Sequence, residues 1–413
     1  DYYREAYGAV LGGMLGDWLG RRNAMLLSAV MFTASAAGCA LCGSFDALVV
    51  WRIVGGVGIG VASIICPLYI SEIAAAQYRG RLVSLYQLAI TIGFVGAYLV
   101  NYMLLGYAES TQPGEGLWSQ VFVTEGWRGM LGMETLPALL FFIILFIIPE
   151  SPRWLMVHSR RDDAERVISR IYSTAAAVKS EVDAVSASIK AQNTGGSSAN
   201  VSLLFRPKMF KGLLIGVAIA ILGQFMGVNA VLYYGPTIFE NAGLSSSSSL
   251  FYQVIVDIVN TVTTVAALLI IDKVGRKQLV YWGVSGMIVS LLLIAGYFTY
   301  GASLGLPPVL LLIFFMIYIM CCAGSICAVV WVLLSEMYPT KVRAVAMSIA
   351  GFALWVGTYL VGQLTPVMLE TFSAAGVFLI FAAMCVPYIL IMWRGVPETT
   401  GKSLEEIEKY WLE

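Results

Sequence analysis

Charge is what this sequence has least of. Only 12% of its 413 residues are Asp, Glu, Lys or Arg, about half of what a soluble domain carries on its surface. With 59% hydrophobic residues and a mean hydropathy of +0.81, the solvent around most of the chain is lipid. The 25 basic and 25 acidic residues cancel, so no basic surplus remains to bind nucleic acid. There is a single histidine, His158, in a charged loop where it reads as a solvated side chain. Cys39, Cys42, Cys66, Cys321, Cys322, Cys327 and Cys385 all fall in apolar stretches, where a thiol packs as a small hydrophobe. Cys39 and Cys42 form a CxxC, but no second pair or nearby histidine completes a metal set. No carboxylates are paired at catalytic spacing and no nucleophile has a neighbouring His, so neither an enzyme nor a cofactor is expected. Strand-like alternation over about ten residues is also missing, which excludes an outer-membrane barrel.

What the chain does have is helix-sized apolar runs. Spans of roughly 20 residues are predicted at 6–19, 23–43, 47–70, 82–106, 129–148, 211–240, 251–271, 278–299, 308–334, 344–369 and 372–393. The start, Asp1 to Glu5, is polar and does not read as a signal peptide. The odd count of eleven leads to the expectation that one helix preceding Asp1 is absent from this chain.

Basic residues mark alternate loops: Arg21–Arg22, Arg79–Arg81, Arg153 to Lys211, Lys273–Lys277, Lys341–Arg343 and the tail after Arg394. The positive-inside rule then puts those loops and the C-terminus in the cytoplasm. The loop at 107–127, with Glu109, Glu115 and Glu125, faces outward. The longest loop starts with RRDDAERVISRIY, an amphipathic helix pattern, and continues through AVSASIKAQNTGGSSAN, a flexible linker composition. The expected organisation is an N-terminal helical bundle at 1–150, a cytoplasmic helical linker at 151–210, a six-helix bundle at 211–395 and a cytoplasmic tail at 396–413.

The two halves repeat one another. Asp17-x-x-Gly20-Arg21-Arg22 returns as Asp272-x-x-Gly275-Arg276-Lys277. Ser71-Glu72, with Arg79 seven residues after the Glu, returns as Ser335-Glu336 with Arg343. Pro149-Glu150-Ser-Pro-Arg153 is echoed by Pro397-Glu398-Thr-Thr-Gly401-Lys402. A duplicated bundle of this kind holds its substrate near the midplane between the halves and works by alternating access. Asp17, Arg21, Glu72, Arg79, Glu150, Arg153, Asp272, Arg276, Glu336, Arg343 and Glu398 form an expected gate of charges at the cytoplasmic helix ends. The rival reading makes them topology markers only.

GDWLGRR, the RGR at 79–81, PESPRW at 149–154, QFMGVNAVLYYGP at 224–236, DKVGRK at 272–277, WVLLSEMYP at 331–339 and VPETTGKSLEE at 396–406 resemble the sugar porter family of the major facilitator superfamily. The resemblance runs from the family's second helix to the C-terminus. It implies an all-α membrane protein of two pseudo-symmetric bundles, with the first family helix missing here. It also implies a sugar or polyol substrate, held by Gln87, Gln224, Asn229, Asn260 and Trp331. The residues themselves agree with this, since an amide deep in an apolar run is costly unless bonded, and amides donate and accept as sugar hydroxyls require. Packing glue between helices is the alternative use. Gln224 and Asn229 stand about 140° apart on a regular helix, so sharing one cavity requires a local opening, which Gly227 permits. Three positions depart from the family: Gly223 replaces the first of two glutamines, Leu354 a polar residue before Trp355, and Cys327-Ala328 a Gly-Pro pair.

Three charges lie within or near spans on the outer side: Arg52, Glu134 and Asp257. Ionisable groups in a membrane are functional candidates by default. Arg52 and Asp257 are the expected proton-coupling residues, and the resemblance puts the partner of Arg52 on the absent helix. Proton symport is therefore expected, with a facilitative uniporter or a non-transporting sensor as alternatives. The expected setting is the cell membrane, as a multi-pass protein acting as a monomer, with the bilayer and protons as partners.

Overall fold

In lipid a backbone must satisfy its own N–H and C=O groups, so long apolar runs become helices. The computed structural model describes residues 15–16, 18–74, 79–172, 174–194, 206–338 and 343–396, and among them there is no strand. Two compact units separate: one is Asp1–Gln87 with Leu104–Ala199, the other Leu88–Met103 with Asn200–Glu413.

The first unit contains α1 (Arg21–Leu41), α2 (Phe45–Ile73), the two ends of α3 (Arg79–Ser110), α4 (Gly126–Gly132) and α5 (Thr135–Ile147). The short helices α6 (Pro152–Val157), α7 (Arg161–Ser169) and α8 (Ala175–Thr194) follow. Ser44 caps α2, its hydroxyl accepting from the Ala47 N–H at 3.3 Å. Small residues let α1 and α2 approach closely: a Cβ on Gly58 would stand 3.0 Å from the Phe32 ring, and one on Gly55 would press on the Ser35 hydroxyl. Ala24, Met25, Ala29, Val61, Ile65 and Leu145 fill the core there. The amphipathic pattern after Arg160 becomes α7, whose buried face is Ala164, Val167 and Ile168.

The second unit contains α9 (Pro207–Phe225), α10 (Val228–Asn241), α11 (Ser246–Val274), α12 (Arg276–Leu304), α13 (Pro308–Ala323), α14 (Ile326–Met337) and α15 (Arg343–Gly395). Its core centres on large fully buried rings, among them Phe239, Phe315, Tyr318, Phe378 and Tyr388. The middle of α3 packs within this unit, where the Tyr98 hydroxyl donates to the Leu232 carbonyl at 2.6 Å. Apolar side chains also cover the outside, as Leu269 at 72% and Trp282 at 64% exposure illustrate. In water that would be an aggregation surface; in a bilayer it is the solvated one.

Nine helical stretches among the described residues are long and apolar enough to cross a membrane. Eight match one predicted span each, and the ninth, Ala346–Gly395, takes in two, which part at Ser373 (φ 60°, ψ 166°). The predicted span at 6–19 lies mostly outside the described residues. Three predicted spans are broken, and the one at 129–148 divides at Met133–Glu134, between α4 and α5. The run at 308–334 divides at Gly324–Ser325, where the Ser325 hydroxyl donates back to the Cys321 carbonyl. The run at 211–240 divides at Met226–Gly227.

Candidate functional site

The break at Met226–Gly227 builds a polar cluster. Gly227 adopts a left-handed conformation (φ 93°, ψ 9°), and the Phe381 ring lies so close to its Cα that any side chain would overlap it. The Met226 carbonyl, left without a helical partner, accepts from the buried Tyr318 hydroxyl at 2.7 Å. With the helix opened, Asn229 Nδ2 donates to Gln224 Oε1 at 2.6 Å. Thr358 Oγ1, on α15, stands 3.1 Å from the same oxygen and 3.5 Å from Asn229 Nδ2. Its one proton is shared between Gln224 and the Leu354 carbonyl, 3.0 Å away. Gly357 admits the Gln224 stem, since a Cβ there would lie 3.3 Å from Gln224 Cβ and Cγ.

Thr358 escaped the sequence reading. It lies one turn after Leu354, on the same helical face, so the polar group missing at 354 is recovered at 358. The sequence signal was a threonine at i+4 from the departure. Of the other expected ligands, Asn260 is buried on α11, its carbonyl accepting from Thr264 at 2.8 Å. Trp331 is 39% exposed on α14, with its ring about Gly351. Neither is hydrogen-bonded to the Gln224–Asn229 pair. Gln87 is half-buried on α3 and belongs to the first unit.

Asp257 is fully buried on α11. Both its carboxyl oxygens stand 3.4 Å from Gln253 Nε2, and among the described residues no basic side chain pairs with it. The Gln253 carbonyl oxygen, also buried, has no hydrogen-bond partner and is pressed against Gly235. Arg52, in the first unit, makes an ion pair with Glu134 at 3.8 Å. The two line a cavity of about 320 Å³ together with Ser35, Gly55, Gly56 and Pro137. The expected partner of Arg52 lay ahead of the chain, and Glu134 was a weaker coupling candidate than Asp257; the geometry joins Arg52 and Glu134 across α2 and the start of α5.

At the other end of the first unit, Arg21 grips Glu72 with two parallel contacts of 3.1 Å, both side chains being at least 90% buried. The Glu150 carboxylate accepts from the backbone N–H groups of Arg21 (2.9 Å), Arg22 (3.1 Å) and Ser151 (2.8 Å), so it caps the N-terminus of α1 from a distant segment. Gly20 (φ 95°) allows this approach, because a Cβ would strike the carboxylate. The Ser151 hydroxyl donates to Glu72, closing the ring. Arg22 ties down the end of α5 through the Leu145 and Phe146 carbonyls at 2.9 and 3.0 Å. Arg153 and Arg276 are half-buried on α6 and at the start of α12. Arg79, Asp272, Glu336 and Arg343 are described as helix backbone only, and Asp17 and Glu398 lie outside the described residues. One further cation, Arg128, was unassigned in the sequence. It pairs with Glu125, lies 4.4 Å from the Trp127 ring centre and donates to the Ala40 carbonyl at 3.3 Å, holding the far end of α1. Among the described residues no group of His, Cys, Asp or Glu could hold a metal ion.

Comparison with known proteins agrees with this architecture. Residues 5–411 match the model of the family described as "Sugar (and other) transporter". The arabinose-proton symporter of Bacillus subtilis (strain 168) is 36% identical over 405 residues, which cover 98% of this chain and 84% of that protein. The D-xylose-proton symporter of Escherichia coli (strain K12) is 34% identical over 432 residues, again 98% and 84%. Among solved structures, the inward-open conformation of the xylose transporter XylE from E. coli has a TM-score of 0.83 at 33% identity, covering 99% of this chain and 87% of that one. XylE bound to 6-bromo-6-deoxy-D-glucose gives 0.76 at 34% identity, covering 99% and 88%. The chain is a multi-pass membrane transporter belonging to the sugar porter family of the major facilitator superfamily.

Proposed function

We propose that this protein moves a sugar or polyol across the cell membrane together with a proton, by alternating access, as a monomer with its C-terminus in the cytoplasm. The observation that carries the substrate side is the Gln224–Asn229–Thr358 cluster at the opened helix. Its amide and hydroxyl groups now satisfy one another, and a polyhydroxylated ligand offers the same donors and acceptors in exchange. Asn260, Trp331 and Gln87 complete the proposed ligand set, with the indole face suited to the C–H side of a sugar ring. Relatives named as arabinose-, xylose- and galactose-proton symporters support the coupling to protons.

The proposed proton path uses Arg52 with Glu134, whose ion pair borders an open cavity. A proton on Glu134 cancels its attraction to Arg52, which gives the pair two states with different contacts. Asp257 is proposed as a second participant. As an anion it has only one amide for company, whereas a protonated carboxyl could donate to the orphaned Gln253 oxygen once that amide turns over. Asp17, Arg21, Glu72, Arg79, Glu150 and Arg153, with their second-half counterparts Asp272, Arg276, Glu336, Arg343 and Glu398, are proposed to bias the inward-closed state. Uptake of a panel of labelled sugars and polyols into proteoliposomes, with and without an imposed pH gradient, tests the reading. Accumulation of at least one sugar that follows the gradient is expected; uptake that never exceeds equilibrium would make the protein a uniporter.

A further inference from the structure

The first unit carries a second cavity, and of the charged residues that wall it the transport reading uses only Glu150. It encloses about 360 Å³ and is walled by Arg22, Glu150, Arg160, Asp163, Arg166 and Arg170. Its four guanidinium groups face two carboxylates, leaving two positive charges in surplus. Both carboxylates are already engaged. Glu150 accepts the three backbone N–H groups at the start of α1 and after α5. Asp163 is shared by Arg160 at 2.8 Å and Arg166 at 3.3 Å. Arg170 has no ion-pair partner among the described residues. Topology alone asks for positive charge somewhere in a loop. It does not require arginines from two separate segments, at 22 and at 160–170, to converge on one hollow.

We propose that this hollow binds the phosphate headgroup of an anionic phospholipid. Guanidinium forks match phosphate oxygens in pairs, and basic pockets at the cytoplasmic face of membrane helices suit such headgroups. The apolar members of the hollow distinguish a lipid site from a free-anion site. Pro149, Trp154 and Leu155 line it beside the arginines, and Arg22 holds the carbonyl of Phe146, which with Ile147 ends α5 at 57% and 77% exposure. A free phosphate has no use for this apolar fringe, while acyl chains and an interfacial indole do. The site needs only that the chain spans a bilayer, so it stands or falls separately from the choice of sugar or of coupling ion.

Native mass spectrometry of the intact protein, released from micelles containing phosphatidylglycerol and phosphatidylcholine, tests it against the double variant Arg166→Gln/Arg170→Gln. Neither residue belongs to the proposed gate, so uptake in phosphatidylcholine vesicles should be unchanged. An arginine near an anionic surface contributes about fivefold in binding, so the double variant should retain phosphatidylglycerol roughly 25-fold less well. Arg166→Lys/Arg170→Lys should restore much of the retention, which separates charge from folding. Equal retention by the wild type and the glutamine variant overturns the proposal. So does displacement of the lipid by millimolar inorganic phosphate, which would identify a free-anion site instead.

Discussion

The two units handle their polar groups in different ways. The first pairs full charges: Arg21 with Glu72, Arg52 with Glu134, Arg128 with Glu125. In the second, the opened helix gathers neutral groups, the amides of Gln224 and Asn229 with the hydroxyl of Thr358. A buried ion such as Glu72 is tolerable only while its partner is in place. A more open pair such as Arg52 with Glu134 loses its attraction when the carboxylate is protonated, so a charge pair makes a two-state element that a proton or a helix movement can switch. Amides and hydroxyls change partners without a charge penalty, which suits exchange between protein and sugar hydroxyls. The units nevertheless share one corner. Gly20 and Gly275 have nearly the same backbone, φ 95° and 94°, and the cations two residues on serve the same end. Arg22 holds the carbonyls that finish α5, and Lys277 holds the Trp393 and Val396 carbonyls at 3.4 and 2.9 Å.

This contrast can be broken most forcefully at Arg21. Arg21→Ala leaves Glu72 buried without its guanidinium, and should cost about 3–5 kcal/mol of stability. Thermal unfolding in detergent should therefore begin well below the wild-type temperature. Replacing both members, Arg21→Met with Glu72→Met, should recover much of that loss, and a double variant as fragile as the single one would mean the pair is not the source.

Next in size is the amide cluster. Gln224→Ala or Asn229→Ala should weaken sugar binding by about 1–3 kcal/mol while the protein stays folded. Equilibrium binding on the purified variants reads this directly, and unchanged affinity in both would remove the opened helix from the binding wall. Thr358→Val should cost less, about 0.5–1.5 kcal/mol, because Gln224 and Asn229 can still bond one another. If it costs more than either amide change, Thr358 is the principal ligand and the amides support it.

The smallest effect is expected at the shared corner. Lys277→Ala removes bonds that are partly exposed and should change stability by only a few tenths of a kcal/mol, in the range of exposed charge contacts. A drop comparable with that of Arg21→Ala would mean that Lys277 supports its unit as strongly as the buried charge pair supports the other, and the contrast between them would shrink.

Much of this was legible in the sequence. Hydropathy located the spans, because a helix-sized apolar run has no other fate in lipid. The repeated Gly-Arg-Arg and Gly-Arg-Lys motifs announced the shared corner. Gln224 and Asn229, five residues apart around Gly227, implied an opened helix, and the helix is open there. The break at Ser373 falls beside the boundary expected between the spans at 344–369 and 372–393, whereas the one at Ser325 left no comparable sign, since serine is tolerated in apolar helices and no Gly-Pro pair marks that site. Glu134 was missed as the partner of Arg52 because the two are far apart in sequence, and only packing brings α2 against the start of α5. Thr358 was missed because attention fell on Leu354, one turn earlier.

The central claim is that the charge pair in the first unit carries the proton while the amide cluster in the second carries the sugar. Sugar-driven proton entry into proteoliposomes, followed with an enclosed pH dye beside labelled sugar uptake, tests it most directly. Wild type should acidify the lumen when sugar is added. Arg52→Leu should exchange labelled sugar without moving protons or accumulating it, and Asn229→Ala should still move both at raised sugar concentration. Accumulation that survives Arg52→Leu, or that ignores an imposed pH gradient in the wild type, would contradict the account.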